Sequence, residues 1–228
     1  MTASQVAAFS SNQIRALSTG QLNALTATEL NALSDTQLQS LSTTQVNGMS
    51  SSSVAKLKAT QVAALSTAQV AAMTTDQVKA LSVLSVAALS ANQLNAMTTT
   101  QVQSLTANQL KALGSTTVAA LNTTQVAALS TAQVAGLSVA SLAALSNTQV
   151  AAMTTTQVQS LTDTQIKSLS ADKVTALTST QVSALQTSQL KSLSATQLQA
   201  LDASDVAAMG TAQVKALTDT QVKAMTTA

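Results

Sequence analysis

The chain is a single eight-residue unit repeated from end to end, and this period decides which backbone it can adopt. Read in eights from Thr2, the 228 residues resolve into 28 octads without an insertion, from Thr2–Phe9 to Thr218–Met225. The consensus is (S/T)-x-x-Q-(V/L)-x-A-L, as in Ser66-Thr67-Ala68-Gln69-Val70-Ala71-Ala72-Met73. Two columns never fail: the fifth is Val, Leu or Ile and the eighth is Leu, Met or Phe in all 28 octads. Column one is usually Ser or Thr, and column four is Gln in 21 octads. Large apolar residues in unbroken phase predict a packed core rather than the disorder that Ser, Gln and Ala permit.

A continuous α-helix turns about 100° per residue, so its apolar stripe would drift about 80° per octad and circle the helix after roughly four and a half octads. No partner helix could follow that stripe. In an extended strand, columns five and eight face opposite sides and Ala is disfavoured. The pattern instead predicts that each octad is its own short helix. Ser or Thr in column one is the N-cap, and Gln three residues later completes a capping box. The column-eight residue before the cap and the column-five residue after it then form the hydrophobic staple. The expected fold is all-α: an α-solenoid, or superhelix, of 28 very short helices over residues 1–228. A β-solenoid with a corner in each octad is the alternative.

The charges test this reading independently, because a helix start favours anions and a helix end favours cations. All eight acids, Glu29, Asp35, Asp76, Asp163, Asp172, Asp202, Asp205 and Asp219, lie in columns one to four. Seven of the ten bases, Arg15, Lys79, Lys111, Lys167, Lys191, Lys215 and Lys223, lie in column six. Asp76 with Lys79, Asp163 with Lys167 and Asp219 with Lys223 have the three- or four-residue spacing of helical neighbours. Such short helices are marginal alone, so they must stack.

A longer period lies inside the short one. The octads without the column-four Gln carry Glu29, Ser53, Ser85, Thr117, Ser141, Lys173 and Asp205 there, at spacings of 24, 32, 32, 24, 32 and 32 residues. The pattern repeats every 88 residues, or about 3.67 octads per step. Gly48 and Gly136 are also 88 residues apart. A superhelix with about 3.67 repeats per turn explains this, as does duplication of an 88-residue block. At one helix diameter per turn, 28 octads would make a rod on the order of 75 Å long.

Composition narrows the function. With no His or Cys the chain has no imidazole base, thiolate or zinc site, and the expectation is no enzyme, no catalytic, cofactor-binding or metal site, and no cofactor. Asp202 and Asp205 are the only close carboxylate pair, and capping accounts for both. A net charge of +2 without Trp or Tyr argues against nucleic acid, and no apolar run is long enough for a membrane span. A small-molecule ligand is not expected either. The start Met1-Thr2-Ala3-Ser4 has no signal-peptide pattern.

The pattern seen at Ser66–Met73 and Ser130–Leu137 resembles octapeptide arrays in large secreted or surface proteins of bacteria, including adhesin-like ones. That resemblance covers nearly the whole chain, although the Gly/Asp calcium-binding nonapeptide of such proteins is absent. It implies an extracellular spacer or stalk with no catalytic residues. The leading expectation is therefore a structural repeat protein, either a rod-like spacer or a filament module whose partner is another copy stacked end to end. The alternative is a Ser/Thr-rich face, with Thr98, Thr99, Thr100, Thr154, Thr155 and Thr156, that binds ice, glycan or mineral.

Overall fold

The computed structural model describes residues 1–225, and the last three residues of the expected 1–228 span lie outside it. Among the described residues are 28 helices and no strand, running from α1 (Ala3–Ala7) to α28 (Asp219–Met225), one per octad. The fold is the expected α-solenoid; the β-solenoid alternative is not what forms. Among the described residues, no helix is long and apolar enough to cross a membrane.

Each helix follows from its own eight residues. In α10 (Thr75–Ala80) the N-cap Thr74 is extended, at φ −75° and ψ 160°, and its hydroxyl accepts from the Gln77 amide at 3.2 Å. The Gln77 Oε1 accepts in return from the Thr74 N–H at 2.6 Å, which closes the box. One α-type bond joins Val78 N to Thr74 O at 3.0 Å, and a tighter turn joins Leu81 N to Val78 O at 3.2 Å. Leu81 is then extended, at φ −58° and ψ 138°. Two consecutive extended residues, column eight and the next column one, thus turn the chain. No described residue has a positive φ, so the corners need no glycine, and the sequence has only five.

The side chain in column one accepts the cap bond except at Lys58, Gly114, Gln186 and Gly210. At Lys58, Gln186 and Gly210 the backbone N–H still donates to the column-four Gln. Substituting a capping side chain costs about 1 kcal/mol, so a few defective boxes are tolerated among many complete ones.

The chain divides into two compact units, Met1–Leu121 and Asn122–Ala228, and the division falls between octads 15 and 16. Within the first unit α10 packs against α7 (Ser51–Val54) and α13 (Thr99–Ser104). Within the second, α23 (Ser179–Ala184) packs against α20 (Thr155–Ser160) and α26 (Ala203–Ala208). In both, a helix meets the helices three octads before and after it. Columns five and eight line the interior, and Val62, Val78, Val158 and Val182 have no exposed surface. The column-eight Met residues Met49, Met73, Met97, Met153 and Met209 are buried with the Leu residues, while Met225 is half-buried. Expected core positions that are not buried, Phe9, Leu17, Val206, Val214, Leu217, Val222 and Met225, all belong to the first two or last three octads, where coils have a neighbour on one side only.

One glycine is required by close approach. A Cβ on Gly48, in column seven, would lie 3.1 Å from Thr19 Cβ and closer still to Thr19 Cγ2, one coil away. Ala gains about 1 kcal/mol over Gly inside a helix, but overpacking costs about 1–3 kcal/mol. Gly48→Ala is therefore expected to lower the urea midpoint. In a Thr19→Ala background, which removes Cγ2 and leaves only the 3.1 Å Cβ contact, the loss should shrink, and a loss of equal size in both backgrounds would refute the steric account.

Candidate functional site

The residues that give this fold its identity are the column-four glutamines, which from Gln37 onward are buried although polar. Gln77 is 1% exposed. Its amide oxygen caps its own helix, and its Nε2 donates to Val46 O at 2.7 Å, Asn47 O at 3.1 Å and Met49 O at 2.6 Å. In the second unit Gln181 repeats this with Val150, Ala151 and Met153 at 3.1, 3.2 and 2.6 Å. The acceptors are always in the octad four earlier. They are carbonyls from a helix end, a place where the last four C=O groups have no intrahelical partner. One side chain therefore satisfies a donor at the start of its own helix and acceptors at the end of the helix in the preceding coil. The Gln thus does more than complete the capping box expected from the sequence: it also links coils.

A second set of straps runs the opposite way from column six. Asn23 Nδ2 donates to Gly48 O at 3.1 Å, Gln39 Nε2 to Ala64 O at 3.0 Å and Asn47 Nδ2 to Ala72 O at 2.8 Å. Thr175 Oγ1 donates to Ala200 O at 3.1 Å, and Gln199 Nε2 to Ala224 O at 3.1 Å. Each reaches column seven three octads ahead. Arg15, placed at a helix end by the charge pattern, also donates its Nε to Ser40 O at 3.1 Å. Sequence reasoning missed this role, because column six looks merely variable until its neighbour in the next coil is known.

The charged residues occupy the predicted helix ends. Glu29, Asp35, Asp76, Asp163, Asp172, Asp205 and Asp219 lie in first turns, Asp202 is an N-cap, and the column-six bases lie in last turns with exposed side chains. Asp76 and Lys79, and likewise Asp163 and Lys167, form no ion pair among the described residues. Asp202 Oδ1 accepts from Asp205 N at 2.8 Å and from Ser204 Oγ at 2.6 Å, and these bonds, the Ser204 hydroxyl foremost, hold its pKa below the ordinary value. Asp205 Oδ1 accepts from Ser179 Oγ at 3.0 Å. Both carboxylates serve the cap.

The Thr clusters are likewise engaged locally. Thr98 and Thr154 each accept a cap bond at 3.2 Å and sit 3.0 Å from the hydroxyls of Thr100 and Thr156. Thr99 and Thr155 are half-buried.

This interlocked octad pattern has a counterpart among known families. The chain matches the ALTTAQ repeat over residues 51–83, 107–139 and 199–228. All three segments lie within the octad array, and the match supports a structural repeat protein. No curated protein matches the chain.

Glu29 shows that the box survives a change of chemistry. Its Oε2 accepts from Thr26 N at 2.7 Å and Thr26 Oγ1 at 2.9 Å, while Thr26 Oγ1 accepts from Glu29 N at 3.3 Å. The Thr26 N–H, then its hydroxyl, lower the Glu29 pKa below 4.5 against the opposing effect of burial, and the Met1 amine 3.4 Å away adds to the lowering. A carboxylate whose pKa falls on folding stabilises above its unfolded value and loses that contribution as pH drops through the folded one. Stability should thus fall on acidification below pH 4.5, and Glu29→Gln should flatten that part of the profile in melts. An unchanged acid profile in Glu29→Gln would contradict the assignment.

The straps make a second prediction. Gln77→Met removes four hydrogen bonds and leaves buried backbone groups unpaired, at a cost of about 2–4 kcal/mol. Gln13→Met removes only an exposed cap bond and should cost about 1 kcal/mol or less. Equal losses by denaturant titration would mean that the inter-coil bonds contribute nothing.

Proposed function

We propose that the chain is a non-enzymatic structural module, an extended and stiff spacer that sets distance within a larger bacterial surface or secreted protein. What supports this reading is the strap. In both units the same bond set recurs from coil to coil, so adding octads adds length without changing the contacts, as in other solenoids. The acids that could have supplied chemistry, Glu29, Asp202 and Asp205, are committed to capping their own helices. The surface is lined by small polar residues and column-six bases, which fits a solvated shaft. The octad's resemblance to surface-protein arrays supports the setting.

Small-angle scattering of the whole chain tests the reading. A compact globule of 228 residues has a radius of gyration of about 17 Å and an unfolded chain of about 52 Å. A rod on the order of 75 Å long should fall between them, above 20 Å, with the linear cross-section region of a cylinder. A value near either extreme would overturn the spacer proposal.

A further inference from the structure

One internal octad has lost both devices that start the others. In octad 15, residues 114–121, column one is Gly114 and column four is Thr117. The start of α15 (Ser115–Ala119) therefore receives no side-chain cap bond, and no capping box closes there. Among the described residues, no other helix lacks both. Where column one fails elsewhere, at Lys58, Gln186 and Gly210, the column-four Gln still accepts from the backbone N–H. Where column four loses its Gln, at Ser53, Ser85, Ser141 and Lys173, the column-one Ser still accepts a cap bond at 3.0 to 3.3 Å.

Nothing in the packing demands this gap. Gly114 has φ −65° and ψ 155°, a conformation open to any residue, and a Cβ there would meet nothing within 4 Å. Thr117 does not strap either: a Gln in its place would stand 31, 30 and 28 residues after Val86, Ala87 and Leu89, the spacing of the internal straps. The octads on both sides are complete. Thr106 and Gln109 close one box, and Asn122 and Gln125 close the other. The weakness is thus confined to eight residues, whose apolar pair, Val118 and Leu121, is as buried as any other.

We propose that octad 15 is a built-in yield point: it opens and recloses on its own while its capped neighbours stay folded, and the open form offers the bonds before Val118 and Leu121 to a protease. Repeat arrays are held by contacts between neighbours and can open locally below the free energy of global unfolding. Loss of a cap raises the open population of a helix about fivefold. Glycine adds to this by enlarging the conformational freedom of the open chain. A helix of five residues has little else to resist with, since its internal bonds are few. The inference does not rest on the spacer reading, because it concerns the start of one helix.

Limited digestion of the full chain with thermolysin, with fragments sized by mass spectrometry, provides the test. Thermolysin cuts before large apolar residues, and every octad offers them in columns five and eight. The order of cutting therefore reports which octad opens rather than which sequence is preferred. Cuts in octads 1, 2 and 26 to 28, whose core positions are not all buried, are set aside. Among the remaining octads the first cut should fall before Val118 or Leu121. Gly114→Ser gives octad 15 the cap that Ser50 and Ser82 provide in theirs, and should slow that cut about fivefold. Ser170→Gly removes the cap of octad 22, which has no Gln to compensate. Combined with Gly114→Ser, it should move the first cut to before Val174 or Leu177. Gly114 and Ser170 are exposed N-caps, so helical circular dichroism should match the parent in each variant. The proposal fails if another of these octads is cut first, if Gly114→Ser is cut at the parent's rate, or if the double variant is still cut first in octad 15. A first cut before Val83, Leu84 or Val139, exposed apolar residues in capped helices, would also overturn it, by showing that exposure rather than capping governs access.

Discussion

A single primary amide holds the architecture together. The column-four Gln is short enough to be fixed by the helix it begins and long enough to reach the coil before it, where Gln69 meets Leu38, Gln39 and Leu41 and Gln189 meets Val158, Gln159 and Leu161. No other side chain combines the two tasks. A carboxylate keeps the cap and loses the donor, as Glu29 does, and an ammonium supplies donors without the cap acceptor. Burying an amide is costly unless its bonds are made, and here both ends of the group are satisfied.

The strap also explains why helices of four to seven residues persist. Isolated helices of this length do not survive in water, because too few internal bonds offset nucleation and too many end groups need water. In the solenoid the end groups are met by neighbours: N–H groups by the box, C=O groups by the Gln and column-six side chains of adjacent coils. Local signals and tertiary contacts therefore agree at every octad, which is the condition for one well-defined fold.

The exceptions have a geometric meaning. Gln straps reach 28 to 31 residues back, column-six straps reach 25 residues forward, and helices pack three octads apart. Axial neighbours at three and four octads bracket the 3.67-octad period that the missing glutamines trace along the sequence. Where Gln is replaced by Ser53, Ser85 or Ser141, the hydroxyl is 0–2% exposed and bonds the capping Ser of its own helix. Around Ser53 the carbonyl otherwise served by Gln is taken over: Lys56 Nζ donates to Leu25 O at 3.3 Å. Duplication of an 88-residue block is compatible with this, since at 3.67 octads per turn eleven octads would complete three turns.

What the sequence determined by itself is local. Ser or Thr in column one, Gln in column four and the apolar pair in columns five and eight specify where each helix starts, how it is capped and which face is buried, because those bonds close within eight residues. The charge segregation was readable for the same reason: Asp76 and Lys79 answer to the ends of one helix. The inter-coil bonds could not be read this way. That Asn47 and Gln77 are linked to carbonyls 25 residues ahead and 31 residues behind, and that Gly48 yields space to Thr19, depends on which octads become neighbours. That pairing is set by the pitch of the superhelix, a property of the packed coils that no single octad contains.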